Sequence, residues 1–306
     1  MGRVATVVRR EAAMKWEDGD ASGNVEDRRG MGGAVAAGGG IIGLIVMAVA
    51  FYMTGDLRQA KFIADRVGPV VNKAVPPRNP GQGKAGVNDR MLDFSKKIMG
   101  YTDRAWADVF AAHGNRYEKP TLVLFTDRVD SEGCGVAPSS VGPFYCPASR
   151  KVFVDPSFFE ELESRLKGSK ADFSKAYVIA HEVGHHVQNL LGYNKLVEQY
   201  RRREGENAGI RLELQADYLA GVCWNRVERE RSIIEPGDVE SAITTAKAIG
   251  DDRLQKNARG WVNPESFNHG TSEQRLKWFT EGLRTGDAEK KALDRFFNPN
   301  IPPLKL

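Results

Sequence analysis

Cysteine is scarce in this chain. Cys134, Cys146 and Cys223 are the only three in 306 residues, and none stands in a C-x-x-C pair. A thiolate zinc site or zinc finger is thereby excluded. Strong charge of either sign is also missing, since 44 Lys and Arg against 40 Asp and Glu give a net +4 and an isoelectric point near 8.9. With no stripe of interleaved basic and aromatic residues, nothing points to a nucleic acid partner. No ATPase segment is present, which disfavours a cytoplasmic quality-control protease, and no carbohydrate-binding or wall-binding repeat is visible. What remains is an ordinary globular composition, 41% hydrophobic and 27% charged, with room for one large domain or two small ones.

Histidine is nearly as rare, with five residues, yet three of them fall in the stretch Ala180 to Gln188, which contains H-E-x-x-H. Phe173 to Leu191 reads as a helix with Tyr177, Ala180, Val187 and Leu191 as its apolar stripe, Asp172 as its cap and Gly192 just past its end. Residues four apart share one helix face, so His181 and His185 can aim two imidazoles at one metal ion, and two neutral nitrogens suit Zn2+. Glu182 then lies beside the metal, where a carboxylate can take a proton from bound water. Two unpartnered histidines on a buried helix would be costly, and a metal removes that cost.

A catalytic zinc usually takes three protein ligands, so a third is expected downstream. Glu213 and Asp217 are again four apart, on a helical pattern that continues through Ala220 and Val227. We assign Glu213 as the third ligand and Asp217 as the acceptor of the spare ring N–H of a ligand histidine, His181 by preference. A merely solvated acidic face is the alternative.

From the start of the chain, 1–33 is polar and is expected to be a cytoplasmic N-terminal segment. Ala34 to Met53 carries no charge and, at 1.5 Å per residue, is long enough for the roughly 30 Å hydrocarbon layer of a bilayer. One transmembrane helix is expected there, with Arg28 and Arg29 keeping its near end inside. Ala48-Val49-Ala50 imitates a signal-peptide cleavage site, but the long polar leader favours an uncleaved anchor. Gly39 and Gly43 form a small G-x-x-x-G that would serve a homo-oligomer. Residues 54–87 read as a stalk and a Pro/Gly-rich linker, and 88–306 as an extracytoplasmic domain.

Within that domain Asn88 to Gly114 reads as one or two helices. Thr121 to Phe125 and Lys151 to Val154 are short β-rich runs, and Asp155 with Pro156 starts a further helix. Asp238 to Leu254 and Ser272 to Leu283 are amphipathic helices. Cys134 and Cys146 flank a Gly/Pro/Ser-rich loop; outside the cytoplasmic membrane the medium is oxidising, so a disulfide is expected. Cys223 is left as a buried thiol.

The chain resembles the bacterial neutral zinc metallopeptidase family, a membrane-tethered group of zincin type. The resemblance is carried by Met14 to Asp18, Ser22 to Gly30, Val141 to Pro147, the H-E-x-x-H helix, Glu213 to Asp217, Ala248 to Gln255 and His269 to Arg275. Most of the chain is covered in order. The resemblance implies an α+β, mostly helical zincin-like domain with a small antiparallel sheet, a bound Zn2+ and a peptide or protein substrate. In that family pattern a cysteine follows the Asp directly, whereas Tyr218 stands there here. Zincins pair an extended peptide with an edge strand above the metal helix, and Gly135 to Phe144 is the expected rim, a plain surface hairpin being the alternative. They also give a His or Tyr to the oxyanion; His269 is placed for that role, or for capping the Thr271-Ser272 turn. His186 is expected beside the site or facing solvent, and His113 is assigned nothing.

The expected chemistry is metal-assisted hydrolysis of a peptide bond with Glu182 as general base. Two rivals stand beside it, a non-catalytic zinc-stabilised envelope scaffold and an amidase acting on cell-wall peptide.

Overall fold

In the computed structural model, residues 13–30, 89–259, 261–264, 267 and 269–306 are described. The expected membrane stretch 34–53, its Gly39 and Gly43, and the stalk and linker 54–87 lie outside them. Among the described residues no helix is long and apolar enough to cross a membrane.

Three strands of a mixed sheet run parallel. β1 (Val25–Asp27) pairs with β2 (Thr121–Leu124), and β2 pairs with β6 (Lys151–Val154). β5 (Phe144–Cys146) is antiparallel to β6 and forms one edge, giving the order β1-β2-β6-β5. The small sheet expected to be antiparallel is therefore mixed; β2 and β6 are joined by a crossover long enough to return the chain in the same direction. That crossover contains an antiparallel hairpin, β3 (Arg128–Asp130) with β4 (Val136–Pro138).

Side chains alternate across the sheet. Leu122, Leu124, Val152 and Val154 enter the main core, which is mostly helical. Val123, Phe125 and Phe153 point the other way into a smaller cluster with Val129 of the hairpin and Cys146. Cys134 and Cys146 form the disulfide expected between them, tying hairpin to edge strand. Closing a loop of this length constrains the unfolded chain by about 3 kcal/mol.

Helix α1 (Arg90–Ala112) follows β1, with the Asp89 carboxylate accepting the N–H groups of Met91 and Leu92. After β6 come α2 (Ser157–Ser164), α3 (Asp172–Leu191), α4 (Tyr193–Glu204) and α5 (Gly209–Arg231). Asp172 is the first residue of α3 rather than its cap, and Gly192, left-handed at φ 83°, ends it. The expected helix Asp238 to Leu254 is two, α6 (Asp238–Ala248) and α7 (Asp251–Arg259). At the break the Asp251 N–H leaves the helix ladder and donates to the Gly270 carbonyl, while its carboxylate accepts the N–H groups of His269 and Gly270. Helix α8 (Ser272–Thr285) starts with a capping box of Thr271 and Gln274, and α9 (Lys290–Asp294) is short.

Residues 14–29 fall in one compact unit with the chain from 89 onward. Met14 and Trp16 are buried, and the Trp16 ring meets Phe94 edge-on. Its indole N–H donates to Asp172 at 2.9 Å, at the start of α3. The Lys15 N–H donates to the Ile233 carbonyl, the Ser22 N–H to that of Lys96, and the Ser22 hydroxyl to Asp103.

Candidate metal centre

Helix α3 carries the H-E-x-x-H residues and lies against α5. Gly184 makes this approach possible, since a Cβ there would sit 3.0 Å from the Ala216 carbonyl oxygen and 3.2 Å from its Cα. The close crossing brings His181 and His185 over Glu213, and ligand atoms of these three residues all lie within 4.8 Å of one another. His181 Nε2 is 3.2 Å from Glu213 Oε2, and His185 Nε2 is 3.4 Å from Glu213 Oε1. Donors held at about 2.0–2.1 Å by a tetrahedral zinc lie about 3.3 Å from each other, so this donor set fits the ion.

Each imidazole is oriented from behind. His181 Nδ1–H donates to Asp217 at 2.8 Å, as expected for that carboxylate. His185 Nδ1–H donates to Gln188 at 2.9 Å, and Gln188 is fixed in turn by donating its amide to the Leu212 carbonyl. Both rings therefore present Nε2 to the same point. Asp217 also accepts from the Tyr177 hydroxyl and from the buried Arg275 guanidinium. Burial works against a charged Asp217, but Arg275 and His181 outweigh it and hold the carboxyl below its ordinary range. Burial likewise works against a charged His181, but Asp217 and Glu213 lift its pKa to about 9; a metal must displace that proton.

The three residues sit in a cavity of about 690 Å³. Glu182 also lines it and is 7% exposed; burial raises its carboxyl, against the pull of His185 and His181. Ser139 to Tyr145 form part of the wall. Of the expected rim Gly135 to Phe144, the portion from Ser139 reaches the cavity and Val136–Pro138 belongs to the hairpin.

The profile described as "Putative neutral zinc metallopeptidase" matches residues 14–293. The chain belongs to this family. The protein YpfJ of Escherichia coli K12 is 39% identical over 288 residues, covering 90% of this chain and 96% of its own. Rv2575 of Mycobacterium tuberculosis H37Rv is 43% identical over 181 residues, 56% of this chain and 61% of its own. Neither name states an activity. No solved structure matches. The match begins at Met14, which is buried, so the region shared with the family includes the N-terminal block.

His269 lines the same cavity. Its Nδ1–H donates to Asp251 at 3.0 Å, and Thr271, not His269, caps α8. Burial disfavours a charged His269, but Asp251 and Glu213 outweigh it and raise its pKa.

His186, expected beside the site or in solvent, is fully buried. Its Nε2–H donates to the Glu118 carbonyl at 2.6 Å and its Nδ1 accepts from the Tyr145 hydroxyl at 2.9 Å, which fastens edge strand β5 to the metal helix. Burial, with Arg150 nearby, lowers its pKa from 6.5 to about 4. The folded protein thus binds fewer protons here than the unfolded chain between these pH values, and stability falls as pH falls through the window. The contribution lost is about 3 kcal/mol in full. Urea unfolding of the zinc-free protein at pH 7 and pH 4.5 is expected to show a smaller acid loss in His186→Gln than in wild type. Equal losses would assign the acid sensitivity elsewhere.

Arg275, Tyr177, Gln188 and Asp251 were not singled out for roles from sequence. Two of these left a local signal, Gln188 three residues after His185 and Tyr177 four residues before His181, each on the same helix face as its neighbour.

Proposed function

We propose that this protein is a zinc-dependent peptidase that hydrolyses peptide bonds in a peptide or protein substrate. The observation that carries the proposal is the convergence of His181, His185 and Glu213 within 4.8 Å, beside Glu182 in a cavity walled by an edge strand. These three residues hold the zinc. When bound, zinc polarises the scissile carbonyl and lowers the pKa of water at the site.

The remaining work falls to the chain's own residues. Glu182, its pKa raised by burial, takes the proton of the attacking water and delivers it to the leaving amine. His269, its Nδ1–H held by Asp251, donates its Nε2–H in the protonated form to the oxygen on which negative charge develops. β5, antiparallel at the sheet edge, receives the substrate backbone as an added strand. Phe144 and Tyr145 then place that strand along the cavity. The Cys134–Cys146 disulfide supports an extracytoplasmic site of action, with the N-terminal block on the same side. The apolar stretch 34–53 attaches the protein to the membrane.

The test is zinc content of the purified full chain, followed by hydrolysis of a quenched fluorescent peptide library with and without chelator. Glu213→Ala is expected to lose the metal, and Asp217→Ala to bind it about 10–100-fold more weakly. A wild-type chain without zinc, or a Glu213→Ala variant that keeps it, would overturn the ligand set. Bound zinc without turnover on any peptide would favour the scaffold reading.

A further inference from the structure

We infer that Arg275 is a positioning residue of the metal site, acting on His181 through Asp217. The inference rests on the zinc reading above. Asp217 is fully buried and Arg275 is 2% exposed, so neither charge is balanced by water and each depends on the other. Arg275 Nε donates to Asp217 Oδ2 at 2.9 Å and Nη2 donates to Oδ1 at 3.0 Å. This two-point fork fixes the plane of the carboxylate as well as its position. Oδ1 is the same oxygen that accepts His181 Nδ1–H at 2.8 Å and the Tyr177 hydroxyl at 2.6 Å.

Rotation of the Asp217 carboxylate would move this acceptor and let the His181 ring turn with it. Arg275 removes that freedom. It projects from α8, whose start is fixed by the Thr271 capping box, so the orientation of a ligand on α3 is set by a helix that itself provides no ligand. Arg275 also borders the cavity, but an effect exerted on a ligand should appear in metal affinity before any turnover is measured.

The experiment is competition for zinc between the full chain and a chromophoric chelator. Arg275→Lys keeps a positive charge but loses the planar fork; it is expected to bind zinc at least about tenfold more weakly than wild type. Arg275 Nη2 also lies 3.4 Å from His181 Nδ1, but its fork is made to Asp217; Asp217→Asn is therefore expected to weaken binding as well, and the double variant Asp217→Asn/Arg275→Lys to lose much less than the sum of the two single losses, because Arg275 acts chiefly through Asp217. Should Arg275→Lys not fold, Asp217→Asn/Arg275→Gln leaves no unpaired buried charge and carries the same expected tenfold loss. Wild-type zinc affinity in a folded Arg275→Lys or Asp217→Asn/Arg275→Gln chain, or additive losses in the double variant, would overturn the inference. Absence of zinc from the wild-type chain would instead sink the metal reading beneath it.

Discussion

Glu182→Gln is expected to lower kcat by about 10²–10⁴-fold while zinc content stays at the wild-type level. The two effects separate because Glu182 is not among the residues whose ligand atoms cluster. It lies one residue from His181 on α3, so its side chain leaves the helix at a different angle and reaches the cavity beside the ligands. Burial raises its pKa, which makes the carboxylate a stronger base. Glutamine keeps the shape and a hydrogen-bonding carbonyl but cannot take the proton. Paired measurements of metal content and peptide hydrolysis decide the matter. Loss of zinc in this variant would make Glu182 a ligand, and undiminished hydrolysis would remove it from the chemistry.

The grouping of His181, His185 and Glu213 was legible in part because helix periodicity is a local rule. His181 with His185, and Glu213 with Asp217, are each one turn apart, and spacing alone puts each pair on one face. Gly184 sits inside the motif, but its reason appears only when α5 packs across it. Arg275 lies 58 residues from Asp217, and no pattern along the chain links them. Asp251 shows the same limit: the apolar periodicity of Asp238 to Leu254 runs straight through a break at which the Asp251 N–H turns to the distant Gly270 carbonyl. His186 misled because a lone polar residue beside a ligand gives no sign of whether a carbonyl and a hydroxyl wait for it.

β1 was invisible for a related reason. Three residues carry too little alternation to read as a strand, and the pairing partner Leu122 stands far along the chain from Val25.

Removal of residues 14–29 is therefore expected to abolish cooperative folding, including in a protein that starts at residue 88 and keeps every metal ligand. Met14 and Trp16 are buried at 2% and 3% exposure, and each such side chain contributes about 2–3 kcal/mol. The β1–β2 ladder and the Trp16 bond to Asp172 go with them, and β2 becomes an open edge. The combined loss of roughly 5–10 kcal/mol is comparable with the whole stability of a domain. Trp16→Ala alone should cost about 3–5 kcal/mol and loosen the start of the metal helix, where Asp172 would lose its indole donor. Thermal melts of the full chain, the truncation and Trp16→Ala in excess zinc test this directly. A truncated protein that melts like the full chain would show the block to be dispensable. Because β1 must reach β2 in the intact protein, reporters fused before Met14 and after Leu306 should be protected or exposed together on membranes. Opposite sidedness in a folded, zinc-binding protein would mean that the two strands do not pair within one chain.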